Sequence, residues 1–258
     1  WYGCRVPGCT AGRIGRFDDV LAGQWRGGGG GDRVQGVTLI NYGLIEKFVI
    51  AELLLLPLLR GLPGPAGLVE FLPILPWYKV VAFLVGTFLY GYLDFSAYSD
   101  IAIGSSRLYG IRIMENFRWP ILAPNIGDFW QRWHMTLAGW CKAYVYLPLM
   151  GITRNPWLAV YATFLTMGMW HSASLNWLAW ALYNATGVMA YLLFTRFKRK
   201  KKIKLPEFGP LKYWGIPVTF AYMAGMNAFT SMDRAGLGVY QAVRILAKCA
   251  FIDLPPLE

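Results

Sequence analysis

Two histidines occur in the chain, His134 and His171, and each directly follows a tryptophan. Imidazole, with an unperturbed pKa of about 6.5, can take up and return a proton at neutral pH, so either ring is suited to general acid–base work. His171 lies within Asn155 to Thr195, 41 residues without Asp, Glu, Lys or Arg. A polar ring in such a stretch costs free energy unless it is hydrogen-bonded or lines a cavity, which marks it as functional. The plainer alternative is that His171 ends a helix and bonds a carbonyl in the turn. His134 closes Asp128-Phe-Trp-Gln-Arg-Trp-His134. Read as a helix, that run puts His134 on one face with Trp130 and Gln131 and turns Arg132 elsewhere. A Trp/Arg belt at a membrane interface would give the same pattern.

Other chemistry-bearing residues group less tightly. Asp94 and Asp100 are six positions apart, roughly 120° around a helix, so they share no face. Asp94 with Tyr98, or Ser96 with Asp100, aligns at i,i+4 and forms a polar seam rather than an acid–base couple. The four cysteines, Cys4, Cys9, Cys141 and Cys249, have no CxxC spacing, and two histidines do not complete a metal set, so no metal site is expected. Walker, GxSxG and HExxH motifs are missing from the sequence.

The elements that position these residues are predicted to be membrane helices. Hydrophobic residues make up 56% of the chain, above the roughly 45–50% of an ordinary soluble domain. Asn155–Thr195 as one straight helix would reach about 60 Å, twice the hydrocarbon thickness, so it reads as two spans with a turn near His171-Ser172-Ala173-Ser174. Leu72–Leu93, with only Lys79 charged, and Tyr213–Met232, with no charge, each read as a span. Val37–Leu59 is interrupted by Glu46, Lys47 and Glu52, so one side of it must face protein or the interface. Residues 94–154 are too polar for lipid and must lie at an interface, line a cavity or dip into the membrane behind other helices; the site is expected there. The fold class is therefore all-α, a polytopic membrane bundle with re-entrant or interfacial helices. Residues 1–36, with Gly27–Gly31, read as a Gly-rich loop region ahead of a membrane domain over 37–258, and Pro63–Gly67 as a turn.

The formal charge is +11, but seven of the 25 basic residues fall between Arg196 and Lys204, directly after an apolar run. That placement marks a cytoplasmic loop meeting anionic lipid rather than a nucleic-acid site. Arg244 and Lys248, four apart, predict one basic face on a helix within Ala235–Asp253, either interfacial or ordinary surface. The start at Trp1, without a signal-peptide pattern, reads as a fragment of something longer.

Three segments together resemble the membrane-bound O-acyltransferase (MBOAT) family, in the bacterial branch that includes the alginate O-acetylation membrane protein. They are Asp94-Phe-Ser-Ala-Tyr-Ser-Asp100 continuing through Arg107–Arg112 to Glu115-Asn-Phe117; Asp128–His134 with Trp140 and Tyr144–Pro148; and Gly168-Met-Trp-His-Ser-Ala173 with Asn176 and Trp180. Weaker echoes lie at Ala11–Arg16 and Ala228–Ala235. Ser172, Gln131 and Lys142-Ala143 depart from the common family pattern, and the early spans of a full-length member are missing.

The resemblance implies that His171 corresponds to the family's invariant histidine and His134 to its second conserved polar position. Asp94, Tyr98, Asp100, Asp128, Arg132, Trp133, Trp170 and Asn176 are then supporting or substrate-binding candidates. It also implies an acyltransferase of the bacterial inner membrane, multi-pass, with no tightly bound cofactor. Acetyl-CoA or another acyl thioester would be the donor, and an exported polysaccharide or an external acetyltransferase partner the acceptor. Attack of a hydroxyl on a thioester needs a base, for which His171 is the candidate, with His134 orienting the acceptor or polarising the carbonyl. With the polybasic stretch inside, Leu175–Thr195 rises about 31 Å and puts the His171 turn in the outer half of the membrane. D-alanyl transfer to teichoic acid, a proton-coupled transporter and a non-catalytic remnant are the alternatives.

Overall fold

The computed structural model describes residues 30–202 and 213–256. The Ala11–Arg16 echo, Gly27–Gly29 and Lys204 lie outside them. Among the described residues all regular structure is helical, as predicted.

Helix α1 (Gly30–Leu44) runs without a break through a π-helical stretch, Ile45–Leu55, into α2 (Leu56–Arg60). Gly30–Gly36, expected as loop, are therefore helix. At Gly36 tertiary packing overrides glycine's intrinsic freedom, because the rod must come very close to α4 (Trp77–Leu108). A Cβ on Gly36 would sit 2.8 Å from the Gly104 carbonyl oxygen, one on Gly43 2.6 Å from that of Ala97, and one on Gly104 2.6 Å from that of Gly36. Small residues at such a crossing let two backbones touch, as in packed membrane helices.

The charges that interrupt the first rod face protein, as predicted. Lys47 Nζ reaches Glu52 at 2.7 Å and Asp94 on α4 at 2.6 Å, and Tyr90 donates to Glu52 at 2.9 Å. Lys47 and Glu52 are five residues apart, which in an α-helix leaves them roughly 140° out of line. The i→i+5 repeat of the π stretch stacks them on one face.

The turn after α2 is shorter than expected, because Pro65 already opens α3 (Pro65–Glu70). The span predicted over Leu72–Leu93 is displaced. Pro73 and Pro76 keep the chain out of helix until Trp77, and α4 then carries on to Leu108, absorbing the polar seam of Asp94–Asp100. Past α4 the chain makes a short 3₁₀ turn (Pro120–Leu122), α5 (Ile126–Phe129) and α6 (Met135–Cys141), which passes through π-helical Lys142–Tyr146 into α7 (Leu147–Thr153).

Helices α8 (Pro156–His171) and α9 (Leu175–Lys200) form the predicted antiparallel pair, with the break where it was expected. By length and composition α4 and α9 are the described helices able to cross a membrane. The run Tyr213–Met232, expected as one span, divides at Met226 into α10 (Gly215–Gly225) and α11 (Asn227–Arg234). Tyr183 on α9 and Tyr222 on α10 stack at 4.3 Å, and each hydroxyl donates to the other's carbonyl at 2.8 and 2.7 Å, which ties α10 to the pair.

Helix α12 (Val239–Cys249) corrects the expectation of an outward basic face. Arg244 is buried, donating to the Leu254 carbonyl at 3.2 Å and to Gln241 Oε1 at 3.0 Å, while Lys248 pairs with Asp253 at 2.7 Å. The basic residues bind the segment that follows α12, and the apolar core holds Phe88, Phe129, Phe164, Trp180, Met223 and Phe229.

Candidate active site

The break between α8 and α9 is built by local sequence. Asn155 caps α8, accepting from the Trp157 and Leu158 amides at 3.0 and 3.4 Å, with Pro156 in the first turn where its missing N–H costs nothing. The helix ends at His171, and Ser172 is extended. Ser174 caps α9 by accepting from the Trp177 amide at 3.3 Å. Gly168 makes the pairing close: a Cβ there would meet the Trp177 carbonyl oxygen at 2.7 Å. One turn along, the His171 ring stacks on the Trp177 indole, centroids 4.4 Å apart and planes 12° apart.

Both ring nitrogens of His171 lack a hydrogen-bond partner among the described residues, and the residue is exposed. Half of the plainer alternative holds, since His171 does end a helix. Its other half does not, because the ring bonds no carbonyl of the turn.

His134 reaches the same place from another element. Helix α5 stops at Phe129, so the Asp128–His134 run is not the single helix expected. Asn125 caps it, accepting from the Asp128 amide at 2.8 Å, and the following turn drives two indole rings inward. Trp133 packs against Phe88 and Phe129, nearly parallel to both at 5.4 Å, and Trp130 meets Phe164 and Trp180 edge-on at 5.0 and 5.9 Å. Asp128 pairs with Arg132 at 2.8 Å. His134 then adopts left-handed backbone, φ 46° and ψ 51°, immediately before α6. That conformation costs a non-glycine residue about 1–2 kcal/mol, and it turns the ring out of the aromatic pack.

The half-buried His134 ring meets Phe95 edge-on at 4.8 Å, and its Nδ1 is 3.2 Å from Asn116 Oδ1. Burial, and then the nearby His171, push its pKa down to about 4, so it is neutral at pH 7. Trp170, 64% exposed, lies between the imidazoles, 6.4 Å from His134 and 4.7 Å from His171 by centroid. Two imidazoles thus flank one indole at a helix break.

The other sequence candidates divide. Trp170 belongs to this cluster, whereas Trp133 packs behind it on Phe88, Tyr92, Phe117 and Phe129; Asp128 and Arg132 brace the turn leading to it. Asn176 is buried, donating to the Leu237 carbonyl at 2.7 Å, and pins α9 rather than facing the histidines. Asp94 is committed to Lys47, and Tyr98, 69% exposed, points away. Asp100 lines a cavity of about 320 Å³ with Gln35, Thr38, Arg107, Glu115 and Asn116, and this cavity adjoins the histidine cluster at Asn116, the partner of His134.

Sequence reasoning missed two residues. Asp233 on α11 accepts from Ser174 Oγ at 2.5 Å and from Trp177 Nε1 at 3.1 Å, fixing the indole on which His171 rests. Its signal was a single carboxylate directly following a 20-residue uncharged run. Asn116 holds His134 and was visible only as part of a longer motif. Asp233→Leu should loosen the Trp177 platform and cost about 1–3 kcal/mol, the usual penalty for leaving buried donors unpaired; denaturation of the variant in detergent, with Trp fluorescence as the probe, measures it.

Residues 66–239 match the family model for MBOAT, membrane-bound O-acyltransferase family. The chain is 28% identical over 201 residues to a teichoic acid D-alanyltransferase of Bacillus subtilis (strain 168), covering 73% of this chain and 48% of that protein. It is 40% identical over 96 residues to a probable alginate O-acetylase AlgI of Pseudomonas fluorescens, covering 36% of this chain and 19% of that one. A peptidoglycan O-acetyltransferase of Helicobacter pylori (strain ATCC 700392 / 26695) is 36% identical over 137 residues, 52% of this chain and 25% of that one. The chain thus spans about half the length, or less, of these relatives.

Proposed function

We propose that this chain, which belongs to the membrane-bound O-acyltransferase family, carries the reaction centre of a bacterial inner-membrane, multi-pass enzyme that moves an acyl group, acetyl foremost, from a cytosolic thioester to hydroxyls of an exported polysaccharide or to a partner acetyltransferase outside. The observation that carries it is the pairing of His171 and His134 around Trp170 at the α8–α9 break. His171, with both nitrogens free among the described residues, takes the proton as the hydroxyl oxygen attacks the thioester carbonyl. The C–S bond breaks, and the same proton passes to the leaving thiolate. His134 orients the acceptor or polarises the carbonyl.

Acetyl-CoA is the proposed donor, and the relatives named for O-acetylation support it. The relative named for D-alanylation covers more of the chain and supports a carrier-protein thioester as the second choice. The protein reconstituted in vesicles, offered labelled acetyl-CoA or a D-alanyl carrier thioester, separates them by which label reaches acceptor polymer on the opposite side. Transfer of neither label would overturn the proposal.

Two further outcomes follow. His134→Ala should lower the rate by about 10²-fold or more while the protein still folds, measured as acyl transfer by the purified variant. With the polybasic end of α9 cytoplasmic, Ser172→Cys should react with a small impermeant thiol reagent from the outer side; reaction from the cytoplasmic side alone reverses the topology.

A further inference from the structure

Asn116 makes a set of hydrogen bonds whose directions can be solved one by one. The backbone amide of Thr136 can only donate, and it points at Asn116 Oδ1 at 3.4 Å, with the Thr136 hydroxyl donating to the same oxygen at 3.0 Å. At the other end of the amide, Ser99 Oγ gives its proton to the Phe95 carbonyl at 2.9 Å, so it can only accept from Asn116 Nδ2 at 3.3 Å. Both ends require the same orientation of the side-chain amide, which cannot be flipped without setting donor against donor at Thr136. The atom facing His134 Nδ1 is therefore an oxygen, and the nitrogen must carry the proton.

The backbone holds this arrangement in register. The Met135 amide donates to the Asn116 carbonyl and the Arg118 amide to the Arg132 carbonyl, both at 2.9 Å. The segment before His134 is thus laced to the one containing Asn116, and the left-handed backbone at His134 aims the ring at Asn116.

We infer that Asn116 is a positioning residue that holds His134 as its Nδ1–H tautomer, which leaves Nε2 as a bare acceptor. The consequence for chemistry rests on the acyl-transfer proposal. A neutral ring of this tautomer accepts a hydrogen bond at Nε2 from a second hydroxyl of the acceptor, since the attacking hydroxyl gives its one proton to His171, and has no proton there to give a thioester carbonyl. Of the two roles open to His134, orienting the acceptor through that second hydroxyl survives and polarising the carbonyl does not.

The test is nitrogen NMR of the protein labelled with ¹⁵N in its imidazole rings, in nanodiscs at pH 7, with the His134 signals identified by their loss in His134→Gln. The expected result is a protonated Nδ1 and an unprotonated Nε2 on His134. A protonated Nε2 in the unsubstituted protein overturns the inference without any variant having to fold. In Asn116→Leu the Nε2–H form should gain population and kcat should fall about 10- to 100-fold with KM little changed. Asn116→Asp, which keeps the acceptor, should retain Nδ1–H and recover most of the rate. An unaltered tautomer in Asn116→Leu, or equal losses in the two variants, reduces Asn116 to a packing role and overturns the inference. Tautomers as expected in a protein that transfers no acyl group would uphold Asn116 and count against the acyl-transfer proposal instead.

Discussion

His171→Ala is expected to lower acyl transfer by about 10² to 10⁴, the contribution of one positioned general base. The loss should fall on kcat more than on KM, because the imidazole is needed as the oxygen–carbon bond forms and not to hold the ground state. Neither ring nitrogen is engaged by the described residues, so a substrate hydroxyl meets no competitor for the proton acceptor. His171→Ala also removes a ring that stacks on Trp177, so the informative partner is His171→Phe, which keeps an aromatic face on that indole and has no base. If the stack alone mattered, the Phe variant would work and the Ala variant fail. Both failing equally in vesicles, with Trp fluorescence spectra unchanged, is the expected outcome. Parental turnover in either variant removes His171 from the chemistry.

Much of this site was legible in the sequence, and for a physical reason. A lone histidine in 41 uncharged residues is conspicuous because lipid tolerates so few polar groups, and the helix break at 171–174 follows from length alone. What was not legible depended on contacts distant in the chain. Asp94, Tyr98 and Asp100 became candidates through the family resemblance, while their spacing gave only a polar seam and said nothing about what faces it; Lys47 from the first rod takes Asp94. Asn116 and Asp233 act through bonds to residues 18 and 59 positions away, and although Asp233 stands out after its uncharged run, no local pattern names either partner. The turn at His134 misled for a related reason. Helical periodicity over 128–134 ignored how firmly Trp130 and Trp133 are held by six separate aromatic partners, and that packing outweighs the modest cost of one left-handed residue.

The glycines of the first rod show the same limit, and they set the largest expected effect on stability. Gly104→Val should destabilise the protein by about 1–3 kcal/mol or more, because the new side chain has nowhere to go. Its Cβ would meet the Gly36 carbonyl oxygen at 2.6 Å and Ile40 Cγ1 and backbone N at 2.8 and 2.9 Å, and two of those three atoms are backbone. Relief requires the rod α1 and helix α4 to part along the whole contact, which also pulls Lys47 from Asp94. Gly91 is the control, in the same helix with nothing within 4 Å of its would-be Cβ. Gly91→Ala exchanges a flexible residue for a better helix former and should be neutral or stabilising by up to about 1 kcal/mol. Opposite signs for Gly104→Val and Gly91→Ala, read as midpoints of thermal or SDS denaturation in matched micelles, are the expected result. Similar small shifts in both would mean that the backbones of α1 and α4 do not touch in the membrane, and that another surface holds the first rod in place.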